Sequence, residues 1–235
     1  MVKKMERPGM ILFDYGETLI REAAIDLLRG ERAVFQYVEE NPRHITPEEA
    51  AAFGGEIFER ANASRMLGFE VHEWPMLRCK YEALGLTFSL PTEELEEVLW
   101  DGLEPGRPTE HIEELLGYLR EQGIPTGVIS NIGWSGRALE RRLERLLPGH
   151  RFEFVIASSE YVLRKPDPVI FAVALEKAGM EAGRVWFCGD NPVADVEGAR
   201  ASGLFPVLYR PEGPQGVDCL TVRDWRELIG ILEKQ

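Results

Sequence analysis

The apolar positions of this chain follow two patterns that take turns. Short unbroken apolar runs stand at Met10-Ile11-Leu12-Phe13, Thr126-Gly127-Val128-Ile129, Phe154-Val155-Ile156-Ala157 and Val185-Trp186-Phe187-Cys188, with a further run over 206–209. Continuous apolarity over four or five residues predicts strands buried on both faces. Between the runs the apolar residues recur with a period near 3.6, as in Ile112, Leu115, Leu116 and Leu119, which predicts helices. Thr109 is the expected cap of that helix and Gly123 its stop; further helices are predicted over 135–147, 168–178, 193–201 and 223–233. Strand and helix in alternation imply a parallel sheet with helices on both faces.

From Ile20 to Glu104 the pattern changes. Helices are predicted over 24–40, 47–67, 75–84 and 93–100, with no convincing strand. Asn41-Pro42 and Trp74-Pro75 interrupt the pattern, Gly85 ends one helix and Thr92 is placed to cap the next. Glu104-Pro105-Gly106-Arg107-Pro108 reads as a hinge. The expected architecture is α/β: a doubly wound parallel sheet, a Rossmann-like core formed by residues 1–19 and 106–235, with an α-helical domain of residues 20–105 inserted after the first strand.

Composition narrows the function. The 235 residues suffice for one large domain or two small ones, and 44% hydrophobic with 29% charged residues reads as a soluble globular protein. A formal net charge of -13 disfavours nucleic acid and anionic membrane surfaces. It leaves room for a phosphate substrate, because a bound dication and a few local cations reverse the sign inside one cleft. Cys79, Cys188 and Cys219 are too scattered for a disulfide framework or a zinc site, so a cytoplasmic setting is expected. Lys3 and Lys4 are not followed by an apolar stretch of signal-peptide length, and no run approaches the roughly 18 apolar residues of a membrane span.

Open α/β sheets bind ligands at the C-terminal ends of their strands, and the apolar runs deliver reactive groups there: Asp14, Ser130, and Asp190 with Asp195, while Lys165 follows a loop. Each alone has an ordinary reading, as a strand-end turn, an N-cap, a loop charge or a helix-start pair. Together, Phe13-Asp14-Tyr15-Gly16-Glu17-Thr18-Leu19, Ser130-Asn131, Lys165-Pro166 and Gly189-Asp190 followed by Asp195 form an ordered set. It resembles the four motifs of the haloacid dehalogenase superfamily of phosphohydrolases. The resemblance extends over roughly the whole chain and is weakest between residues 20 and 105.

This resemblance implies that Asp14 is the nucleophile, forming an aspartyl-phosphate that water hydrolyses. It assigns Mg²⁺ to the Asp14 carboxylate, the Gly16 carbonyl and Asp190, with Asp195 at or behind the metal. Lys165 would neutralise Asp14 and the developing charge, Ser130 would bond a phosphoryl oxygen, and Thr18 would order the loop. Asn131 is a substrate contact or a helix cap. The inserted helices would form a cap over the site, suited to a small phosphorylated metabolite.

Gly16 departs from the pattern, for phosphatases of the family carry there a second aspartate that protonates the leaving group and activates water. A positioned acid or base contributes about 10² to 10⁴ in rate, so its loss leaves several readings open. A phosphohydrolase would need water or a cap residue instead; Glu70 and His72 are the nearest candidates, with a solvated loop as the preferred reading, and Glu17 reads as a solvated charge. A phosphonate-cleaving enzyme would use a cap lysine, and Lys80 is the lysine of that segment, although a solvated role is preferred. A dehalogenase needs no metal, against which Asp190 and Asp195 argue. A non-catalytic metabolite-binding or interaction protein is the last. The stretch from Arg137 to Arg145 reads as a sheet-covering helix with a charged outer side. Cap aromatics such as Phe53, Phe58, Tyr81 and Trp100 read mostly as core. Gly54-Gly55 and Gly213-Pro214-Gln215-Gly216 lack the context of a dinucleotide site and read as flexibility and a surface loop.

Overall fold

The computed structural model describes residues 6–210 and 219–235; the predicted Gly213-Pro214-Gln215-Gly216 loop lies outside the described residues. The chain enters through β1 (Met10–Phe13) and doubles back into the short β2 (Ile20–Arg21). It continues through α1 (Leu27–Val34), β3 (Val38–Glu40), α2 (Pro47–Met66), α3 (Glu73–Leu84), β4 (Thr87–Phe88) and α4 (Thr92–Leu103), and β5 (Arg107–Pro108) then returns antiparallel to β2. Helices and strands alternate from there: α5 (Ile112–Glu121), β6 (Thr126–Ser130), α6 (Gly136–Leu146), β7 (Val155–Ala157), α7 (Pro168–Ala178) and β8 (Val185–Gly189). A π-helical turn over Pro192–Glu197 leads into α8 (Gly198–Ala201), and β9 (Phe205–Tyr209), β10 (Leu220–Val222) and α9 (Trp225–Leu232) complete the series.

Among the described residues six strands form one sheet in the order β10-β9-β8-β1-β6-β7, and every pairing in it is parallel. β1 lies inside it, pairing Leu12 with Gly127 on one side and Phe187 on the other. Side chains alternate across a strand. Ile11 and Phe13 therefore join one core, with Leu115, Leu139 and Trp225. Met10 and Leu12 join the other, with Ile129, Phe171 and Phe187. Both faces are covered, as the unbroken apolar runs require.

Several boundaries differ from expectation. The first inserted helix begins at Leu27, capped by Asp26, and stops at Val34. The remainder of the predicted 24–40 helix is a 3-10 turn and β3, which pairs with β4; strands this short show no period, and their partners are remote in sequence. Thr92 is the first residue of α4 rather than its cap. Thr109 does not cap α5, since its hydroxyl donates to the Thr18 carbonyl at 2.7 Å. Ser135 does cap α6, accepting from Ala138 N. Within α6, Arg142 is buried rather than on a solvated face, because it donates through Nε to the Tyr15 hydroxyl at 2.7 Å. Among the described residues no helix is long and apolar enough to cross a membrane.

Candidate active site

The ladder between β1 and β8 runs one residue past β1: Asp14 N donates to the Cys188 carbonyl at 2.9 Å. Asp14 is thus fixed at the C-terminal sheet edge. The chain then reverses, with Leu19 N donating to Tyr15 O, Glu17 N to Ile20 O, and Glu17 at a φ of 52°. The reversal places Thr18 Oγ1 3.4 Å from Asp190 Oδ1. Ser130 ends β6 and is buried. β8 ends at Gly189, where a Cβ would lie 2.3 Å from the Asp195 carboxyl, so only glycine admits Asp195 so close to the strand.

Lys165 joins these groups. Its Nζ donates to Asp14 Oδ1 at 2.6 Å and to Asp195 Oδ1 at 2.7 Å. Asp195 Oδ2 accepts from Asn191 N at 2.9 Å, so both of its oxygens are engaged. Asn131 does not cap a helix; its side-chain amide bonds the backbone of Lys165. Asp14, Gly16, Ser130, Asn131, Lys165, Asp190 and Asp195 all line one cavity of about 230 Å³. A larger depression of about 500 Å³ surrounds Arg120, Thr126 and His150, but it sits at the opposite end of β6 and lacks such a cluster.

Carboxylate oxygens of Asp14, Asp190 and Asp195 come within 4.8 Å of one another. Burial, followed by the neighbouring carboxylates, pushes Asp14 up to about 7 despite the pull of Lys165, and Asp190 up to about 6. Burial alone would lower Lys165, but Asp14 and Asp195 more than offset it and hold its pKa raised. One ammonium among three acids leaves an excess of negative charge. An all-oxygen donor set of this kind fits a hard divalent cation.

The structure also brings in groups that the sequence did not single out. Glu22, Glu104 and Arg164 line the same cavity. Burial first, then Glu104, pushes Glu22 up to about 8, and burial raises Glu104 as well. Glu70, expected in a solvated loop or as an acid, is buried instead. It accepts from Arg65 Nε and Ser158 Oγ, both at 2.8 Å, and lies 3.1 Å from Arg164. His72 is not solvated either, since its Nδ1 accepts from Trp74 N at the start of α3. Lys80 is 5% exposed, with Nζ 2.5 Å from Glu31 Oε1, so the solvated reading fails there too. Glu17 is exposed as expected.

A second cavity of about 650 Å³ opens between the inserted helices and the sheet edge, sharing Glu22, Glu104, Asn131, Ile132 and Arg164 with the first. Lys80 and Glu73 are in its wall, as are the exposed Ile25, Leu27, Phe58 and Met66.

A family model described as haloacid dehalogenase-like hydrolase matches residues 9–203. Phosphoserine phosphatase of Thermus thermophilus is 39% identical over 84 residues, which cover 34% of this chain and 34% of that protein. The chain thus spans about a third to a half of the length of the curated relatives it matches. The crystal structure of 2-haloacid dehalogenase from Pseudomonas syringae superposes with a TM-score of 0.63 at 20% identity, covering 96% of this chain and 98% of that one. That of a HAD phosphatase from Thermococcus onnurineus superposes with a TM-score of 0.61 at 24% identity, covering 95% and 97%. These two likenesses establish the fold.

Proposed function

The chain belongs to the haloacid dehalogenase-like hydrolases, and from that premise we propose that it cleaves a small phosphorylated metabolite by nucleophilic attack of Asp14 on phosphorus. The observation that carries this reading is the Lys165 ammonium held between Asp14 and Asp195, beside Asp190, in one cavity. A phosphatase among the partial matches supports the substrate class.

In this reading Asp14 forms the aspartyl-phosphate and water releases it. Lys165 favours the ionised form of Asp14 against its burial and faces the charge that develops on phosphorus. Ser130 lies at the cavity wall to donate to a phosphoryl oxygen, and Asn131 fixes the loop that carries Lys165. Asp14, the Gly16 carbonyl and Asp190 would hold Mg²⁺. Asp195 would stand at or behind it, since both of its oxygens already accept from Lys165 and Asn191. When bound, Mg²⁺ would offset the repulsion between the Asp14 carboxylate and the phosphate. Residues 20–105 act as the cap, residues 1–19 and 106–235 as the catalytic core, and the setting is cytoplasmic.

The test is hydrolysis of 4-nitrophenyl phosphate by wild type and Asp14→Asn, with Mg²⁺ or with EDTA. Turnover that needs both Asp14 and Mg²⁺ is expected; turnover that persists in Asp14→Asn overturns the reading. A second reading, phosphonate cleavage, draws on Lys80 in the wall of the larger cavity. Its ion pair with Glu31 counts against it, because Schiff-base formation needs a neutral amine. Borohydride trapping of a 2-oxoethyl phosphonate on Lys80 would favour it.

A further inference from the structure

We infer that Glu22 is the proton-transfer residue of this active site, supplying the carboxyl group that position 16 lacks; this rests on the reading of Asp14 as the nucleophile. A Cβ built on Gly16 would lie 3.3 Å from Glu22 Oε2, and among the described residues no other side chain beyond its chain neighbours lies within 3.4 Å of that point. The space that a larger residue 16 would enter is therefore bordered by the carboxyl of Glu22. Glu22 and Asp14 face the same cavity of about 230 Å³.

The loop geometry accounts for this placement. After Asp14 the chain reverses, pairing Gly16 with Ile20, and β2 is held against β5. Glu22 follows β2 directly, and its backbone N donates to Glu17 Oε1 at 3.1 Å. The exposed Glu17 therefore fixes the backbone from which Glu22 reaches back over Gly16.

A second observation points to a ligand. Glu22 Oε1 is buried and has no hydrogen-bond partner among the described residues, a costly state for a carboxyl oxygen. Tyr15, Glu104 and Arg142 interact with the Glu22 carboxyl, but none of them bonds Oε1. Arg142 directs its guanidinium at the Tyr15 hydroxyl, Asp101 and the Glu104 carbonyl. Glu104 accepts from Trp100 Nε1 at 2.9 Å, and Asp14 is paired with Lys165. Oε1 is left to meet a leaving-group oxygen or a water in the cavity.

The chemistry balances in two halves. Asp14 attacks phosphorus, the bond to the ester oxygen breaks, and the proton of the Glu22 carboxyl passes to that oxygen as it leaves with the electron pair. In the second half the Glu22 carboxylate takes a proton from water. The water oxygen attacks phosphorus, the bond to Asp14 breaks, inorganic phosphate departs and Glu22 is protonated again.

The experiment compares wild type and Glu22→Gln with Mg²⁺ on 4-nitrophenyl phosphate, whose leaving group needs no proton, and on n-butyl phosphate, whose leaving group does. Glu22→Gln should lose about 10² to 10⁴ in turnover of the butyl ester. On the aryl ester it should give a burst of nitrophenolate stoichiometric with enzyme, followed by slow turnover, because the second half still lacks its base. Adding Gly16→Asp to Glu22→Gln should recover part of the butyl activity. Glu22→Gln acting on both esters within about threefold of wild type overturns the inference, as does an equal loss on both without a burst. If Glu22→Gln does not fold, Glu22→Asp reads the same split, since it keeps the charge and withdraws the carboxyl by one methylene. Asp14→Asn separates the failures. If Asp14→Asn is active, the nucleophile is wrong; if it is inactive while Glu22→Gln behaves as wild type, only the role of Glu22 is wrong.

Discussion

Asn131 and Lys165 exchange two hydrogen bonds, Asn131 Nδ2 donating to the Lys165 carbonyl and Lys165 N donating to Asn131 Oδ1, each 2.8 Å. The end of β6 thereby holds the loop that carries the ammonium. Asn131→Ala removes both bonds, at a cost of about 1 to 3 kcal/mol, and a chain of this size loses about 2 to 4 °C in Tm per kcal/mol. The melt should fall by about 2 to 12 °C, while kcat falls at least about tenfold because Lys165 is no longer aimed at Asp14. Thermal melts beside steady-state kinetics check this; an unchanged kcat would show that Asn131 does not position Lys165.

Gly189 and Asp195 make a sharper steric case. Alanine at 189 would put a methyl 2.3 Å from Asp195 Cγ and Oδ2, so the carboxyl must leave Lys165 or Asn191. Gly189→Ala should cost about 1 to 3 kcal/mol together with most of the activity. Gly117→Ala in α5, where a Cβ meets nothing within 4 Å, serves as the control and should be neutral or stabilising by up to about 1 kcal/mol. Equal behaviour of the two variants in melts and assays would contradict the packing argument.

Asp190→Asn keeps the shape of the residue and removes a carboxylate from the acidic group. Mg²⁺ affinity, read by isothermal titration, should fall by at least about tenfold. Unchanged affinity would remove Asp190 from the metal site.

His150 provides a pH test away from the site. Burial first, then Arg120, lowers its pKa to about 4, and its Nε2 shares a 2.6 Å hydrogen bond with Thr126 Oγ1. The unfolded chain, with an ordinary imidazole near 6.5, binds the proton first. His150 therefore contributes stability that is present above about 6.5 and lost as pH falls toward about 4. Chemical denaturation of wild type and His150→Gln across that window should show a stability difference that shrinks as pH falls; a constant difference would contradict the assignment.

Strand ends were the legible part of this molecule. Asp14, Ser130 and Asp190 each follow an apolar run that is buried on both faces, and such a run leaves its next residue at the sheet edge. Lys165 was legible through its motif. Lys80, Glu70 and Arg142 were not, because each owes its place to a partner remote in the chain: Lys80 to Glu31, Arg142 to Tyr15, and Glu70 to Ser158 and Arg164; Glu22 was not, because the chain reversal that turns it toward Gly16 leaves no periodic pattern. A charged residue within a polar stretch gives no local sign of burial. The short β2, β3 and β10 failed for a related reason, since two or three residues cannot display a period.

The central claim is a covalent phosphoryl group on Asp14. The most direct measurement is acid quenching of Glu22→Gln during turnover of 4-nitrophenyl phosphate with Mg²⁺, followed by borohydride reduction and peptide mass spectrometry. Conversion of residue 14 to homoserine, absent without substrate, is the predicted result. Reduction at another acidic residue, or none at 14 while nitrophenolate is still released, would contradict the account.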